Sequence, residues 1–238
     1  FFSNGQFVNP MVLRVPGLGY QKGFGGHFHN DNSLTIFRDI PGLVLAIPSN
    51  GADAVRMLRT AVKEAYKNGR IIVFIEPIAL YMTKDLHKAK DGKWEFIYPD
   101  LNDESLIGEF KSYGNGRLLT ILTYGNGLYL SLQAQKDIEK KLGKKIKIID
   151  LMWISDVNYE TLLKEISPCK SILIVDECRR SGCHGEGILA NLILKSKKPL
   201  NIALHAAEDS FISIGNAATA TLPSKDSIVQ NALNLVNA

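Results

Sequence analysis

The amino-acid sequence predicts an α/β protein with two parallel or mostly parallel sheets, each flanked by helices. Short apolar runs rich in β-branched residues alternate with segments of helical periodicity, first over residues 11–75 and again over residues 118–236. This alternation is typical of parallel sheets that are buried on both faces. A polar, irregular stretch over residues 77–112 separates the two blocks, and we interpret it as an ordered connection or hairpin between domains.

The first block begins with a strand at 11–15, followed by a glycine-rich loop and a short helix at 33–38. A second strand at 43–47 precedes a long helix at 51–67, and a third strand at 71–75 ends the block. Ser49 or Asn50 can cap the long helix, because their side chains accept hydrogen bonds from free backbone N–H groups. Its predicted apolar face consists of Ala54, Val55, Leu58, Ala61, Val62 and Ala65.

The second block repeats the alternation more regularly. Its predicted strands lie near 118–124, 146–151, 171–176 and 200–204, and its predicted helices near 127–142, 158–166, 185–195 and 224–236. Right-handed crossovers between such strands make a doubly wound sheet, in which functional residues gather at the carboxyl ends of the strands.

Composition excludes several classes of protein. With 238 residues, 45% of them hydrophobic and 22% charged, the chain is neither disordered nor fibrous. The net charge of +4 comes with no nucleic-acid-binding motif, and we interpret the local cluster Lys140, Lys141, Lys144, Lys145 and Lys147 as a solvated helix end. Three cysteines are few for a secreted protein of this length and favour a reducing compartment, the cytoplasm or, in a eukaryote, the mitochondrial matrix. No apolar run is long enough to predict a membrane-spanning helix. The sequence begins with FFSNGQFVNP instead of an initiator methionine, which leads us to expect a piece of a longer polypeptide.

The glycine-rich loop, GYQKGFGGHFHNDNS at 19–33, holds two histidines one residue apart, His27 and His29. Its glycine spacing matches neither a dinucleotide-binding fingerprint nor a phosphate loop. The histidines can act as metal ligands, as proton donors or substrate contacts, or as packed loop residues. The residue types alone leave these alternatives open.

A second polar stretch, DECRRSGCHGEG, follows the third strand of the second block. Cys178, Cys183 and His184 resemble part of a zinc site, but no second ligand pair stands at a usual distance. We therefore favour a strand-to-helix turn, with the bend at 181–182 and Glu186 near the positive start of the helix.

Two further patterns concern catalysis. The sequence contains no G-x-S-x-G nucleophile elbow, which argues against a serine hydrolase. Glu76 ends an apolar strand, where it is either a buried carboxylate or a strand-end residue that pairs with a nearby cation.

Taken in order, VLRVPG, GGHFHN, DIPGLVLAIPSNGADAVRMLRTAV and VFIEPIALY resemble the later half of the pyrimidine-binding domain of thiamine diphosphate-dependent 2-oxo acid dehydrogenases. The pyruvate and branched-chain enzymes carry this domain in their beta subunits, which belong to the transketolase-like group. LTYGNGLYLSLQAQ, IIDLMWISDVNYETLLKEI and ILIVDECRRSGCHGEGI resemble the C-terminal domain of the same group. The resemblance implies a partial pyrimidine-binding domain at 1–92, a connection at 93–112 and a transketolase-like C-terminal domain at 113–238.

The resemblance also implies roles for loop residues. His29 matches the family's active-site histidine, so we expect it to be catalytic, with His27 and Asn30 as neighbours in the substrate or active-site loop. The parent enzyme is expected to use thiamine diphosphate and Mg²⁺. The family's activating glutamate and its Gly-Asp-Gly motif have no counterpart in this sequence, so we assign no cofactor-binding residue and no metal ligand. We also do not transfer the potassium site of some relatives.

The function that the resemblance implies is the C-terminal portion of a decarboxylating 2-oxo acid dehydrogenase component, which oxidatively decarboxylates a 2-oxo acid and transfers the acyl group to lipoyl groups. The expected partners are a second copy of the chain, an alpha subunit or diphosphate-binding domain, and a lipoyl acyltransferase; nucleic acids and membranes are not expected partners. The chain alone is expected to be inactive. One alternative is a non-catalytic assembly module that docks to the acyltransferase core, and a weaker one is an enzyme of the transketolase or deoxyxylulose-phosphate synthase type.

Overall fold

The computed structural model describes residues 3–21 and 31–237, which form two β-sheets flanked by helices. The strands are β1 (Met11–Gly17), β2 (Leu43–Ala46), β3 (Ile71–Pro77), β4 (Lys111–Tyr113), β5 (Leu119–Thr123), β6 (Lys147–Asp150), β7 (Ser171–Arg179) and β8 (Asn201–Ala207). The α-helices are α1 (Gly51–Asn68), α2 (Asn126–Leu142), α3 (Tyr159–Ile166), α4 (His184–Lys195) and α5 (Lys225–Asn237). Short 3-10 helices lie at Leu34–Asp39, Ile78–Leu80 and Gly215–Ala217. The predicted fold class is confirmed.

The first sheet has the strand order β1-β3-β2, and all its pairs are parallel. One face is covered by α1, since Ile72 and Phe74 of β3 belong to the same buried cluster as Met57 of the helix. The other face packs toward the second block through Val73 and Ile75. Asn50 caps α1 as predicted, because its side chain accepts a hydrogen bond from the N–H of residue 53 at 3.0 Å.

The buried face of α1 differs from the predicted face. Its buried residues are Asp53, Met57, Thr60, Ala61 and Ala65, so only two of the six predicted positions are fully buried. Val62 is 55% exposed. The cause is Asp53, whose carboxylate accepts from Asn50 at 2.7 Å and pairs with Lys111, so a charged residue turns inward. A prediction of the buried face from apolar periodicity does not detect a carboxylate that is buried because it is paired.

The second sheet has the order β4-β6-β5-β7-β8. Its four longer strands are parallel, and β4 adds an antiparallel edge to β6. Helices α2 and α5 cover one face, and α3 and α4 cover the other face together with the first sheet. Strands β5 and β7 are buried almost throughout, as is usual for central parallel strands.

The lysine cluster is only partly a solvated helix end. α2 ends at Leu142, and Lys145 just beyond it is 75% exposed at its side chain and pairs with Glu139 at 2.7 Å. Lys147 instead lies in β6, where its side chain is 12% exposed and contacts Glu165 at 2.5 Å. The prediction was wrong for Lys147 because the strand begins there and turns its side chain against α3.

Backbone hydrogen bonds join the two sheets directly. Ile47 N–H donates to the carbonyl of Met152 at 2.8 Å, and Ile154 N–H donates to the carbonyl of Leu45 at 3.0 Å. Leu45 N–H also donates to Ser155 Oγ at 2.7 Å. The end of β2 is therefore tied to the segment that follows β6, around the buried Trp153.

The stretch between the sheets is an ordered connection, as predicted. Asp91 accepts backbone N–H bonds from three residues at 86–88, which fixes a tight turn. Trp94 is buried and stands edge-on to Tyr129 of α2, with 5.0 Å between ring centroids.

None of the helices in the described part of the chain is long and apolar enough to span a membrane. The division into domains at 93–112 stays a prediction.

Candidate functional site at the base of the glycine-rich loop

The predicted site residues His27, His29 and Asn30 lie outside the described residues. The chain on both sides of them is described, up to Gln21 and again from Asp31. Both flanks contact the carboxyl-end region of the second sheet, where the sequence analysis places functional residues. We call this region the loop base and define it by 17–20, 31–33, Asn126, Glu177 and Arg179.

The first flank leaves the end of β1 and bends sharply. Leu18 and Tyr20 both have positive φ angles, +68° and +69°, which non-glycine residues adopt at a conformational cost. Between them, Gly19 approaches Leu222 so closely that a Cβ would lie 2.6 Å from Leu222 Cδ1. The Tyr20 hydroxyl donates to the carbonyl of Pro223 at 2.8 Å. The strained backbone is thus held by contacts with residues about 200 positions away.

The second flank is held by Arg179, at the end of β7. Its guanidinium donates two hydrogen bonds to the Asp31 carboxylate, of 2.9 and 3.1 Å. It also donates to Asn32 Oδ1 at 3.0 Å and to the Ser33 hydroxyl. Asn32 is buried and donates to the carbonyl of Glu177 at 2.6 Å. Burial alone would raise the pKa of Asp31, but the hydrogen bonds from Arg179 and Ser33 outweigh it and lower that pKa.

Glu177 forms the floor between the two flanks. It is buried, and its carboxyl group accepts from the backbone N–H of Asn126 at 3.2 Å and from Asn126 Nδ2 at 2.9 Å. The backbone N–H of Gly19 also acts to lower the pKa of this carboxyl group. Burial raises the pKa of Glu177 to about 8, although these hydrogen bonds oppose it. The floor of the loop base therefore holds a buried carboxyl group that ionises less readily than an exposed glutamate.

The neighbouring acid, Asp176, has a structural role. It is fully buried and accepts hydrogen bonds from the Tyr124 hydroxyl at 2.5 Å and from Gly185 N–H at 2.7 Å. The second bond fixes the first turn of α4 against β7. Tyr124 also lies 3.3 Å from Cys178 Sγ. Burial raises the pKa of that thiol well above its ordinary value, so Cys178 is not a thiolate at neutral pH.

The stretch that resembled part of a zinc site is a strand-to-helix turn. Gly182 has a φ of +81°, and its N–H donates to Glu186 at 2.8 Å at the start of α4. Asp209 accepts from both the backbone N–H and the hydroxyl of Ser181. Within residues 3–21 and 31–237, no three His, Cys, Asp or Glu side chains converge as a metal site would require.

Glu76 is a strand-end residue that pairs with a cation, the second of the two interpretations considered. Its carboxylate lies 2.5 Å from Arg14 Nε and accepts from the Tyr81 hydroxyl at 2.5 Å. Burial would raise the pKa of Glu76, but these two donors lower it, and burial together with Glu76 raises the pKa of Tyr81 to about 12. The three residues line a cavity of about 380 Å³ beside the start of α1.

Arg179, Glu177 and Asn126 are the site residues that the sequence analysis missed. Arg179 and Glu177 lie in the DECRRSGCHGEG stretch, whose cysteines and histidine were considered as part of a zinc site. Their position at the carboxyl end of a central parallel strand was the available indication, since functional residues collect there.

Comparisons with known proteins identify relatives of this chain. Residues 108–220 match the family model "Transketolase, C-terminal domain". The "Pyruvate dehydrogenase E1 component subunit beta" of Staphylococcus epidermidis (strain RP62A) is 27% identical over 98% of this chain and 67% of its own length. Its counterpart in Staphylococcus aureus (strain Mu50) is 25% identical over the same shares.

Solved structures show the same fold at lower identity. A split gene transketolase, described as an inactive beta4 tetramer, aligns with a TM-score of 0.65 and 17% identity over 94% of this chain and 66% of its own. A transketolase from Pichia stipitis in complex with sedoheptulose-7-phosphate aligns with a TM-score of 0.58 and 15% identity, over 96% of this chain and 30% of its own.

The chain shares its fold with transketolase structures, and residues 108–220 match the transketolase C-terminal domain. More particularly, the resemblance to beta subunits of the 2-oxo acid dehydrogenase group is confirmed, because pyruvate dehydrogenase beta subunits align with nearly the whole chain. The chain spans about two thirds of the length of these curated relatives.

Proposed function

We propose that this chain belongs to the thiamine diphosphate-dependent decarboxylating component of a 2-oxo acid dehydrogenase complex. The observation that carries the proposal is the alignment of 98% of the chain with pyruvate dehydrogenase beta subunits. The reaction is the decarboxylation of a 2-oxo acid followed by transfer of the acyl group to a lipoyl group. Thiamine diphosphate supplies the carbanion chemistry in such enzymes, and the protein supplies orientation and proton transfer.

We expect that the residues of this chain do not make a complete site for that cofactor. The sequence lacks the Gly-Asp-Gly motif, and no cluster of three potential metal ligands occurs in the described ranges. We therefore assign the diphosphate and its Mg²⁺ to an alpha subunit or a diphosphate-binding domain. A chain without that partner is expected to be inactive, and the split gene transketolase described as an inactive beta4 tetramer is a parallel for this expectation.

The contribution of this chain is proton transfer from the glycine-rich loop. His29 is the proposed donor to the substrate oxygen, and His27 and Asn30 are its proposed neighbours. An imidazole with an ordinary pKa near 6.5 exchanges protons readily at neutral pH. The loop base supports this role, because Arg179 and Glu177 fix both flanks of the segment that carries these residues.

The experiment is a reconstitution of the enzyme from this chain, its diphosphate-binding partner and a lipoyl domain. Decarboxylation is measured with an artificial electron acceptor, and acyl transfer is measured separately with the lipoyl domain. His29→Ala should reduce acyl transfer by a factor of about 100, the usual size of general acid-base help. The matched control is His87→Ala, since His87 is exposed in the connection. Unchanged acyl transfer in His29→Ala would disprove the assignment of His29.

Self-association is the second part of the proposal. The outer side of α1 presents Val62 and Tyr66, which are 55% and 88% exposed, beside the half-buried Leu58. Large apolar side chains grouped in this way favour a protein contact. We propose that this face contacts a second copy of the chain, in keeping with the dimer expected from the sequence.

The same face favours the alternative function, an assembly module without chemistry that docks to the acyltransferase core. The two functions predict the same outcome for a variant of this face and different outcomes for His29→Ala. Val62→Glu would disrupt association in both cases, with Lys140→Glu at an exposed position of α2 as its control. Only the catalytic proposal predicts that His29→Ala reduces acyl transfer by a factor of about 100 in a fully assembled complex, as measured by sedimentation and activity on the same sample.

A further inference from the structure

A second cavity, separate from the loop base, has a volume of about 340 Å³. It lies where the 3-10 helix Leu34–Asp39, the start of β3 and the first turns of α3 and α4 meet. The side chains that matter for its chemistry are Arg38, Arg70, Asp156, Tyr159 and His184. The size is within the range of small-molecule sites. Neither the family comparisons nor the proposed function assigns a role to it.

His184 is the most unusual group in this cavity. It is 3% exposed, yet neither Nδ1 nor Nε2 has a hydrogen-bond partner among the described residues. Buried polar groups are nearly always paired, because an unpaired one loses its bonds to water without replacement. Burial lowers the pKa of His184 to about 4, with the charge of Arg38 adding to burial and that of Asp176 opposing it. At neutral pH the ring is therefore uncharged and offers one N–H donor.

Arg70 provides a second unpaired donor. Its Nε is buried and has no partner in the described part of the chain, whereas its Nη2 lies 3.5 Å from Asp156. Asp156 also accepts from the Ser155 hydroxyl at 2.5 Å. The carboxylate is thus engaged from two sides, and the Nε–H of Arg70 is left for another acceptor.

Arg38 brings a fixed positive charge to the same cavity. Its Nη1 donates to the carbonyls of Gly182 and Cys183, at 3.1 and 2.8 Å. Its guanidinium packs against Gly187, where an added Cβ would lie 2.7 Å from Arg38 Cζ. Because Gly187 has no side chain, α4 leaves room for this guanidinium. The guanidinium then lines the same cavity as His184.

Together these groups define what the cavity can accept. Two guanidinium groups face one carboxylate, which leaves a net positive charge, and the unpaired donors belong to His184 and Arg70. An oxyanion supplies several acceptor oxygens and a negative charge, which is the complement of this set. We propose that the cavity binds the oxyanion group of a small molecule, a phosphate or a carboxylate, through His184, Arg70 and Arg38.

Such a ligand would contact both halves of the chain. Arg38 and Arg70 belong to the first block, and His184 and Asp156 belong to the second. Binding would therefore stabilise the junction between the two sheets. The proposal is independent of the thiamine-dependent function, because it uses no residue of the loop base.

The test is a titration of the purified full chain with sodium phosphate and, separately, sodium acetate, with sodium chloride at matched ionic strength. The readout is the NMR signals of the five histidine rings, and His184→Phe identifies the signal of His184 by its loss. We expect a saturable shift of that signal with phosphate or acetate, and the anion that binds more tightly identifies the oxyanion. Chloride is expected to leave the signal unchanged.

Two arginine variants make the test independent of how His184→Phe folds. Arg38 is exposed, so Arg38→Gln is expected to fold and to weaken binding by about tenfold or more, the usual weight of a charge-assisted hydrogen bond. Arg180→Gln removes an exposed charge from the same strand-to-helix turn and should leave binding unchanged. The proposal would be overturned by an equal response to chloride or by equal weakening of binding in both variants. It would also be overturned if the shift did not saturate at an anion concentration about tenfold above a millimolar Kd.

Discussion

Replacement of Arg179 by glutamine should release the second flank of the glycine-rich loop from the sheet. The variant loses two hydrogen bonds to Asp31 and one to Asn32, and it leaves a carboxylate without its cation. Hydrogen bonds between charged groups contribute about 1.5 to 3 kcal/mol when buried. Both side chains are about one quarter exposed, at 23% and 27%, so solvent screening reduces this and we expect a local loss of about 2 kcal/mol.

Hydrogen exchange measured by mass spectrometry reports this local loss directly. A change of about 2 kcal/mol raises the opening equilibrium of the flank by roughly 30-fold, so amide exchange at 31–33 should accelerate by that factor. Arg179→Lys keeps the charge but loses the forked geometry, so we expect an intermediate effect. Arg180→Gln is the matched control.

The same contact has a defined pH dependence. Because the pKa of Asp31 is lowered in the folded chain, its stabilising contribution is complete above the ordinary aspartate pKa and is lost as the pH falls through the folded value. The flank of the wild-type chain should therefore open more readily in acid, and that response should be weaker in Arg179→Gln. Identical exchange rates at 31–33 in wild type and Arg179→Gln would refute the reasoning.

Three further predictions concern stability. Burial raises the pKa of Asp150 to about 8, so through this group the free energy of unfolding should fall as pH rises from about 4 to about 8. Asp150→Asn should flatten that slope in urea titrations at pH 5 and pH 8, and an unchanged slope would count against the burial effect. Gly116→Ala should destabilise the chain, because the added Cβ would overlap the backbone just before β6. Gly51→Ala meets open space and should be neutral or stabilising. Equal melting temperatures of the two variants would contradict this difference. Because backbone bonds tie the sheets together, Trp94 and Trp153, each left as the single tryptophan and excited selectively, should report one urea transition, and two midpoints would show independent units.

The regular elements were predictable because their pattern is local. The apolar alternation in the central strands and the cap of α1 by Asn50 depend on residues a few positions apart, and both are found in the structure. Strand β4 was missed because its three residues, KSY, show no alternation and become a strand only by pairing with β6. Such pairing depends on the rest of the sheet and leaves no trace in the segment itself.

The loop base was less predictable, for a reason of sequence distance. Arg179 and Asp31 are 148 positions apart, and nothing near either residue indicates the other. The same holds for Asp53, which is not part of the predicted apolar face of α1 and whose partner Lys111 lies 58 positions away. Sequence patterns identified the strand ends where polar residues gather, but the pairs that form there follow from the packing of the two blocks.

The main-chain link between β2 and the segment after β6 has a consequence for evolution. Two of its three hydrogen bonds join backbone atoms only, which every residue except proline provides on the donor side. Mutational drift can therefore replace the side chains around the link without removing it. An arrangement that is encoded in peptide groups can outlast the loss of most sequence identity, and relatives with 27% identity over nearly the full chain are compatible with such inheritance.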